Sequence, residues 1–277
     1  MKTIIITGAS DGIGAAAARQ LHSDGHSVVI VGRSPEKTKR IADELGAPFH
    51  IADFARLSEV RQLADALAAA HPHIDVLANN AGGIFGSRER TEDGHEKTMQ
   101  INHLAPFLLT NLLMPTLLAS RASVINTSSA AARLFARLDV DDLDNERRFT
   151  INKAYGDAKL ANILFARELD RRFGDEGLSA AAFHPGVVAT SFASDTTSFM
   201  RIAYRTPLRH LMRLLTPEQG ASGLVALAEG APGVDWVSGE FYENQHIART
   251  NPQAYDAELA RRLWEVSAAA VGLAESD

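Results

Sequence analysis

The chain carries a tyrosine and a lysine four residues apart, Tyr155 and Lys159, in the run "NKAYGDAKLANILFARELDRRF". On a helix, positions i and i+4 share one face, so this spacing sets a cation beside a phenol. A free phenol has a pKa of about 10 and exchanges protons poorly at neutral pH. Lowering it by about three units takes roughly 4 kcal/mol of differential interaction, which a neighbouring cation can supply. Tyr155 could then act as a general acid or base. An isolated Y-x-x-x-K is far more often an ordinary pair on an amphipathic helix, so the chemistry depends on what accompanies it.

A second candidate stands at the other end of the chain. "TGASDGIG" follows the apolar run 3–7 and precedes a helix-period segment. Gly8, Gly12 and Gly14 allow a tight turn and let a pyrophosphate approach the first amides of that helix. Both candidates need a scaffold. Apolar runs at 3–7, 27–31, 74–79, 123–128 and 178–184 read as strands buried on both faces. Helix-period segments at 13–24, 35–45, 56–70, 93–119, 152–173 and 217–229 alternate with them, and 257–273 reads as a final helix. This alternation predicts an α/β Rossmann fold, one doubly wound parallel sheet with helices on both faces, over a single domain spanning 1–277. Pro106 and Pro115 should kink or split the segment 93–119. Thr216 and Pro217 should open the helix 217–229.

Composition narrows the function classes. With 28 basic and 34 acidic residues the formal net charge is −6, which offers no global attraction to nucleic acid. Cysteine is absent, which excludes disulfides, a thiolate nucleophile and cysteine metal sites, and a reducing cytoplasm is the expected location. The residues before the glycine turn are too few for a signal core or a membrane span. His71 and His73 flank a proline and read as solvated rather than metal-binding, so no metal site is expected.

The turn, T-G-x-x-x-G-x-G, resembles that of the short-chain dehydrogenase/reductase family. Further motifs follow in the family's order: "NNAG" (79–82), "INHL" (101–104), "NTSS" (126–129), "YGDAK" (155–159) and "HPGVVAT" (184–190). The resemblance covers residues 3 to about 245. It implies hydride transfer between a nicotinamide dinucleotide and a small-molecule carbonyl or alcohol, with Tyr155 as proton donor or acceptor. It also implies that Lys159 holds the nicotinamide ribose, Ser129 bonds the substrate oxygen, and Asn102 completes a tetrad by fixing a water. Ser128 then reads as a satisfied hydroxyl at a strand end. The cofactor contacts implied are Gly8, Ser10, Asp11, Gly12, Ile13 and Gly14 in the turn; Asp53 and Phe54 after the third strand; Asn80, Ala81 and Gly82; Tyr155 and Lys159; and Pro185, Gly186, Val188 and Thr190. Asp53 also has a local reading as the N-cap of the helix at 56–70.

In "VIVGRSPEK" the position of an acid that would bond the ribose diol is Gly32, and Arg33 follows. This favours NADP(H) over NAD(H). Asp11 stands in the turn where many NADP-preferring relatives have a second basic residue.

From Ser129 to Tyr155 is 155 − 129 = 26 positions, about twice the common spacing, and the intervening stretch is acidic and loop-like. With "KLANILF" and "HPGVV", this resembles the retinol-dehydrogenase-like and WW-domain-oxidoreductase-like branch, whose members often act on lipophilic substrates. A substrate lid is expected at about 191–216 and a C-terminal helical extension from about 254. Arg201, Arg205, Arg209 and Arg213, set among apolar residues, read either as the solvated face of a lid helix whose apolar face covers the site, or as a basic face in weak contact with an anionic membrane surface or an anionic substrate tail. Self-association into a homo-oligomer is compatible with this reading. The alternative class is a protein that binds or senses the dinucleotide without turnover.

Overall fold

β-branched residues dominate the first strand, β1 (Thr3–Thr7), and its centre is buried on both faces. That leaves it suited to the interior of a parallel sheet. The computed structural model describes residues 1–187 and 215–273. Within them, β1, β2 (Ser27–Gly32), β3 (Phe49–Ile51), β4 (Val76–Asn79), β5 (Ser123–Thr127), β6 (Ser179–His184), β7 (Phe241–Glu243) and β8 (His246–Ile247) form one sheet. Its order is β3-β2-β1-β4-β5-β6-β7-β8. All neighbours are parallel except the last pair, an antiparallel hairpin. Parallel strands end on one edge, and the chain reverses its direction of winding between β1 and β4.

Helices cover both faces. On one face α1 (Gly12–Ser23), α2 (Pro35–Leu45) and the late helix Pro217–Glu229 close a core around Ile4, Ile6, Ile30 and Phe183. On the other, α3 (Leu57–Ala70), α4 (Lys97–Met99), α5 (Ala105–Leu112), α6 (Met114–Ala119), α7 (Ala131–Leu134) and α8 (Ile151–Phe173) close the larger one. Numbering continues with α9 (Pro217–Glu229) and α10 (Ala257–Ala270), and α10 lays Trp264 against Phe107 and Phe165 at 5.0 and 5.7 Å between ring centroids.

Helix starts follow local chemistry. The Asp11 carboxylate accepts from Gly12 N at 2.8 Å, Ser34 caps α2 ahead of Pro35, and Thr150 caps α8. At α9, Thr216 and Gln219 form a reciprocal capping box with Pro217 at the first position. The segment 93–119 is split rather than kinked. A π-turn at Gln100–Leu104 precedes Pro106, and the break at Leu113 precedes Pro115. Pro115 takes an early position of α6, where the missing N–H costs little, while Pro106 directly follows the π-turn within a run that is helical from Lys97 to Leu112.

Two parts of the sequence reading need correction. β7 and β8 were not expected. They are three and two residues long, joined by Asn244 and Gln245 at φ 51° and 64°, the backbone of a two-residue hairpin turn. Strands this short leave no periodic signal. Asp53 does not cap α3: Arg56 occupies that position, the Asp93 carboxylate accepts from Leu57 N at 2.9 Å, and Asp53 instead accepts from Ala55 N.

Thr7 joins the two halves at the reversal point. Its hydroxyl donates to the Ala78 carbonyl at 3.1 Å and accepts from Asn80 N and Ala81 N, each at 3.0 Å. Thr7→Val keeps the shape but strands these groups, and the expected loss is about 1–3 kcal/mol of unfolding free energy, read from the denaturation midpoint. An unchanged midpoint would mean that the hydroxyl does not hold β1 to β4.

Candidate active site

The crevice outside the carboxyl ends of β1 and β4, where winding reverses, is the place at which open α/β sheets hold ligands. Its floor depends on close backbone approach. Gly8 sits at φ 67°, and a Cβ there would lie 2.8 Å from Ala81 Cα; one on Gly14 would lie 2.4 Å from the Gly8 carbonyl oxygen. Asn80 Nδ2 donates to the Thr7 carbonyl at 2.9 Å and braces the turn. Gly12 at φ 54° then starts α1, and Ile13 and Gly14 complete its first turn. The first amides of α1 and the positive end of its dipole therefore point at the crevice, a donor set that fits a pyrophosphate.

Four of the predicted residues converge on the same edge. Tyr155 and Lys159 lie on one face of α8, with Lys159 Nζ 5.6 Å from the centre of the Tyr155 ring. Lys159 is 1% exposed and its Nζ donates to the Thr127 carbonyl at 3.1 Å. Burial pushes the amine down to about 7. The two serines that follow β5 lie in different surroundings. Ser128 is buried and donates to the Lys159 carbonyl at 2.7 Å, whereas Ser129 is half-buried and its Oγ accepts from Ala131 N at 3.2 Å. Asn102 sits in the π-turn, fully buried. It takes Gly83 N and gives to the Gly83 and Thr98 carbonyls at 3.2, 2.9 and 2.8 Å. Gly82 fits between: a Cβ on it would lie 2.4 Å from Asn102 Oδ1 and 3.2 Å from Lys159 Nζ.

The outer end of the crevice is basic and crowded. A Cβ on Gly32 would lie 2.3 Å from Thr38 Oγ1 and 2.9 Å from Ser10 Cβ, so any side chain at this position would require those neighbours to shift. Arg33 is exposed beside it. Asp11 forms an ion pair with Lys37 at 2.8 Å, which balances the acid in the turn with a base that the sequence reading did not single out. Its signal was available: Lys37 stands in the first turn of α2, four residues beyond Arg33. Asp53 is half-buried, and the ring of Phe54 is packed into the core, which leaves only its backbone for a ligand.

Pro185 and Gly186 follow β6 on the same edge; Gly186 has φ 82°, and Leu215 N donates to the Val187 carbonyl at 2.9 Å. Val188, Thr190 and almost all of the expected lid, with its four arginines, lie outside the described residues. His71 is not solvated as expected. Burial lowers it, and its ring meets that of His50 edge-on at 6.4 Å. Among the described residues no group of three or more His, Asp or Glu is placed to hold a metal ion, and no helix is long and apolar enough to cross a membrane.

Other supporting residues were not read from the sequence. A Cβ on Gly156 would lie 2.9 Å from the Ala131 carbonyl oxygen and the Ala136 amide nitrogen, so α8 touches the segment leaving Ser129. That segment is held from its other side by the C-terminal part of the chain. Asn251 Nδ2 donates to the Ala132 carbonyl at 3.0 Å, and the Gln253 amide bonds both N and O of Leu138 at 3.1 and 2.8 Å. These partners are more than 100 residues apart in sequence, beyond the reach of local pattern.

A model of the short chain dehydrogenase family matches residues 2–201. A protein named as a candidate daunorubicin C-13 ketoreductase of Streptomyces sp. (strain C5) is 41% identical, covering 98% of this chain and 93% of that protein. Human retinol dehydrogenase 13 is 36% identical over 98% of this chain and 85% of its own length. Among solved structures, the Pseudomonas aeruginosa RhlG/NADP active-site complex superposes with a TM-score of 0.69 at 26% identity, covering 87% of this chain and 93% of that one.

Two outcomes follow from the geometry. Because burial lowers Lys159 to about 7, the unfolded chain binds more protons above that value, and the destabilising effect of the buried amine fades as pH rises toward 10. Lys159→Met should therefore stabilise the ligand-free protein at pH 6 and less so at pH 9; thermal melts at both values test this, and a pH-independent difference refutes it. Gly32→Asp, the change that would install a ribose acid, should cost about 1–3 kcal/mol by overpacking against Thr38 and Ser10. A stable variant would show that the neighbours yield.

Proposed function

We propose that this chain, which belongs to the short-chain dehydrogenase family, is an NADP(H)-dependent oxidoreductase acting on a lipophilic carbonyl or alcohol. The observation that carries the reading is the convergence of Tyr155, Lys159 and Ser129 on the sheet edge that also holds the glycine turn.

When bound, a nicotinamide dinucleotide supplies or takes up the hydride. The side chains manage the substrate oxygen. Ser129 Oγ donates a hydrogen bond to it, which favours the negative charge that develops during reduction. Tyr155 gives its phenolic proton to that oxygen in reduction and takes it back in oxidation. Lys159, as the ammonium, favours the phenolate and binds ribose hydroxyls. Asn102 holds the π-turn and Gly83 in register with Gly82, and by resemblance would also orient a water next to Lys159.

Arg33 and Lys37 support the phosphorylated cofactor. Both are exposed at the end of β2 and the start of α2, with Asp11 neutralised by Lys37 and no acid at Gly32. A 2′-phosphate there would gain charge-assisted hydrogen bonds. For the substrate, Leu134, Phe135 and Val187 are 61%, 44% and 44% exposed on the segments that follow Ser129 and β6, apolar side chains available to a hydrocarbon-rich molecule. Relatives named for retinol and daunorubicin fit that class. A lid over 191–216, bearing Arg201, Arg205, Arg209 and Arg213, would complete the enclosure.

NADPH oxidation followed with a panel of long-chain and ring-bearing aldehydes and ketones tests the activity. Tyr155→Phe should bind NADPH as the parent does and lose turnover by at least a hundredfold, the lower range for general acid catalysis; near-normal turnover rules out its role, and binding without turnover in the parent chain would leave a dinucleotide-binding protein. Arg33→Ala should weaken NADPH by roughly 1–3 kcal/mol and leave NADH nearly unchanged, by titration of both cofactors. Equal losses would show that Arg33 supports the turn only.

A further inference from the structure

A line of buried polar groups runs from the C-terminal helix to Lys159, and none of its members is used by the chemistry above. The Thr127 carbonyl accepts from Lys159 Nζ at 3.1 Å and from Asn162 Nδ2 at 3.0 Å. Asn162 Oδ1 lies 3.3 Å from His103 Nδ1, and His103 Nε2 lies 3.0 Å from Ser267 Oγ on α10. Asn162, His103 and Ser267 are all at most 2% exposed.

Every donor and acceptor on this line is determined. A carbonyl only accepts, so Asn162 must turn its NH2 to Thr127 and its oxygen to His103. That oxygen needs a donor, which places the imidazole proton on Nδ1. Nε2 is then an acceptor, and the Ser267 hydroxyl donates to it. The neutral tautomer this requires agrees with burial, which pushes His103 down to about 4. Ser128, donating to the Lys159 carbonyl, fixes the backbone of the same residue whose tip Thr127 receives.

We infer that Asn162 and His103 are positioning residues for Lys159: by fixing the Thr127 carbonyl they fix the amine, and through Ser267 they tie the C-terminal helix to the reacting centre. Thr127 ends β5, next to Ser128 and Ser129. With both of its lone pairs occupied, this carbonyl has little freedom to rotate. Without Asn162 it keeps only Lys159 among these donors, and the long lysine stem can swing with it. The inference rests on the role proposed for Lys159 and would show as an energetic coupling between residues 162 and 159.

The test is a double-mutant cycle on NADPH affinity, using Asn162→Leu, which keeps volume and removes both polar ends, and Lys159→Met. Fluorescence titration should show about three- to tenfold weaker NADPH binding for Asn162→Leu in the parent chain, the scale of one net hydrogen bond. In the Lys159→Met background the same change should have less than a twofold effect, because the group it positions is gone. An equal loss in both backgrounds, or no loss in the parent, overturns the inference. If Asn162→Leu does not fold, by circular dichroism and melting, Ser267→Ala runs through the same cycle with the same criteria at a smaller amplitude. A Lys159→Met protein that binds NADPH and turns over like the parent would remove the proposed function itself, a separate result from failure of the coupling.

Discussion

A primary amine held at 1% exposure is the constraint around which this edge of the sheet is arranged. Removing an ammonium from water is costly unless hydrogen bonds replace hydration, so the surroundings of Lys159 must be polar, fixed and close. Thr127 provides the acceptor, Tyr155 the face of a ring, and Gly82 the space, since even a methyl group there would meet Asn102. Strand β5, the π-turn and α8 are thereby tied to one atom.

The same logic of close approach governs the opposite wall. Gly8, Gly14 and Gly32 each stand where a Cβ would meet another atom within 3 Å, so β1, β2 and the start of α1 converge more tightly than side chains permit. Thr7 replaces missing backbone pairing at the reversal point with three hydrogen bonds from one hydroxyl. Glycine at these places serves contact between parts of the protein before it serves any ligand.

How much of this was legible in the sequence depends on range. Ile4, Ile5 and Ile6, or the i, i+4 spacing of Tyr155 and Lys159, carry their meaning locally, and strands β1, β2, β4, β5 and β6 and the long helices appear close to where pattern places them, whereas β3, three residues long, left no apolar run of its own. Strand alternation says that only one of Ser128 and Ser129 can face the site, and it was the family resemblance that selected Ser129. Asp53 was misread because a competing carboxylate, Asp93, reaches α3 from 36 residues away and leaves Asp53 a turn of its own. The ion pair of Lys37 with Asp11, the approach of Gly156 to Ala131 and the grip of Gln253 on Leu138 all depend on folding distant segments together. No window of neighbouring residues contains them.

That grip has a consequence for the order in which the molecule can be completed. Asn251 and Gln253 hold the backbone that leaves Ser129, and Ser267 ends the polar line that reaches Lys159. A chain growing from a ribosome exposes its C-terminal residues last, while earlier strands are already free to pair. Strands β1 to β6 and the helices between them all precede residue 251, so the serine segment and the amine gain these supports only once residues 251–267 have been added. A nascent chain stalled before residue 250 would therefore lack the side chains that hold Ala132, Leu138 and His103.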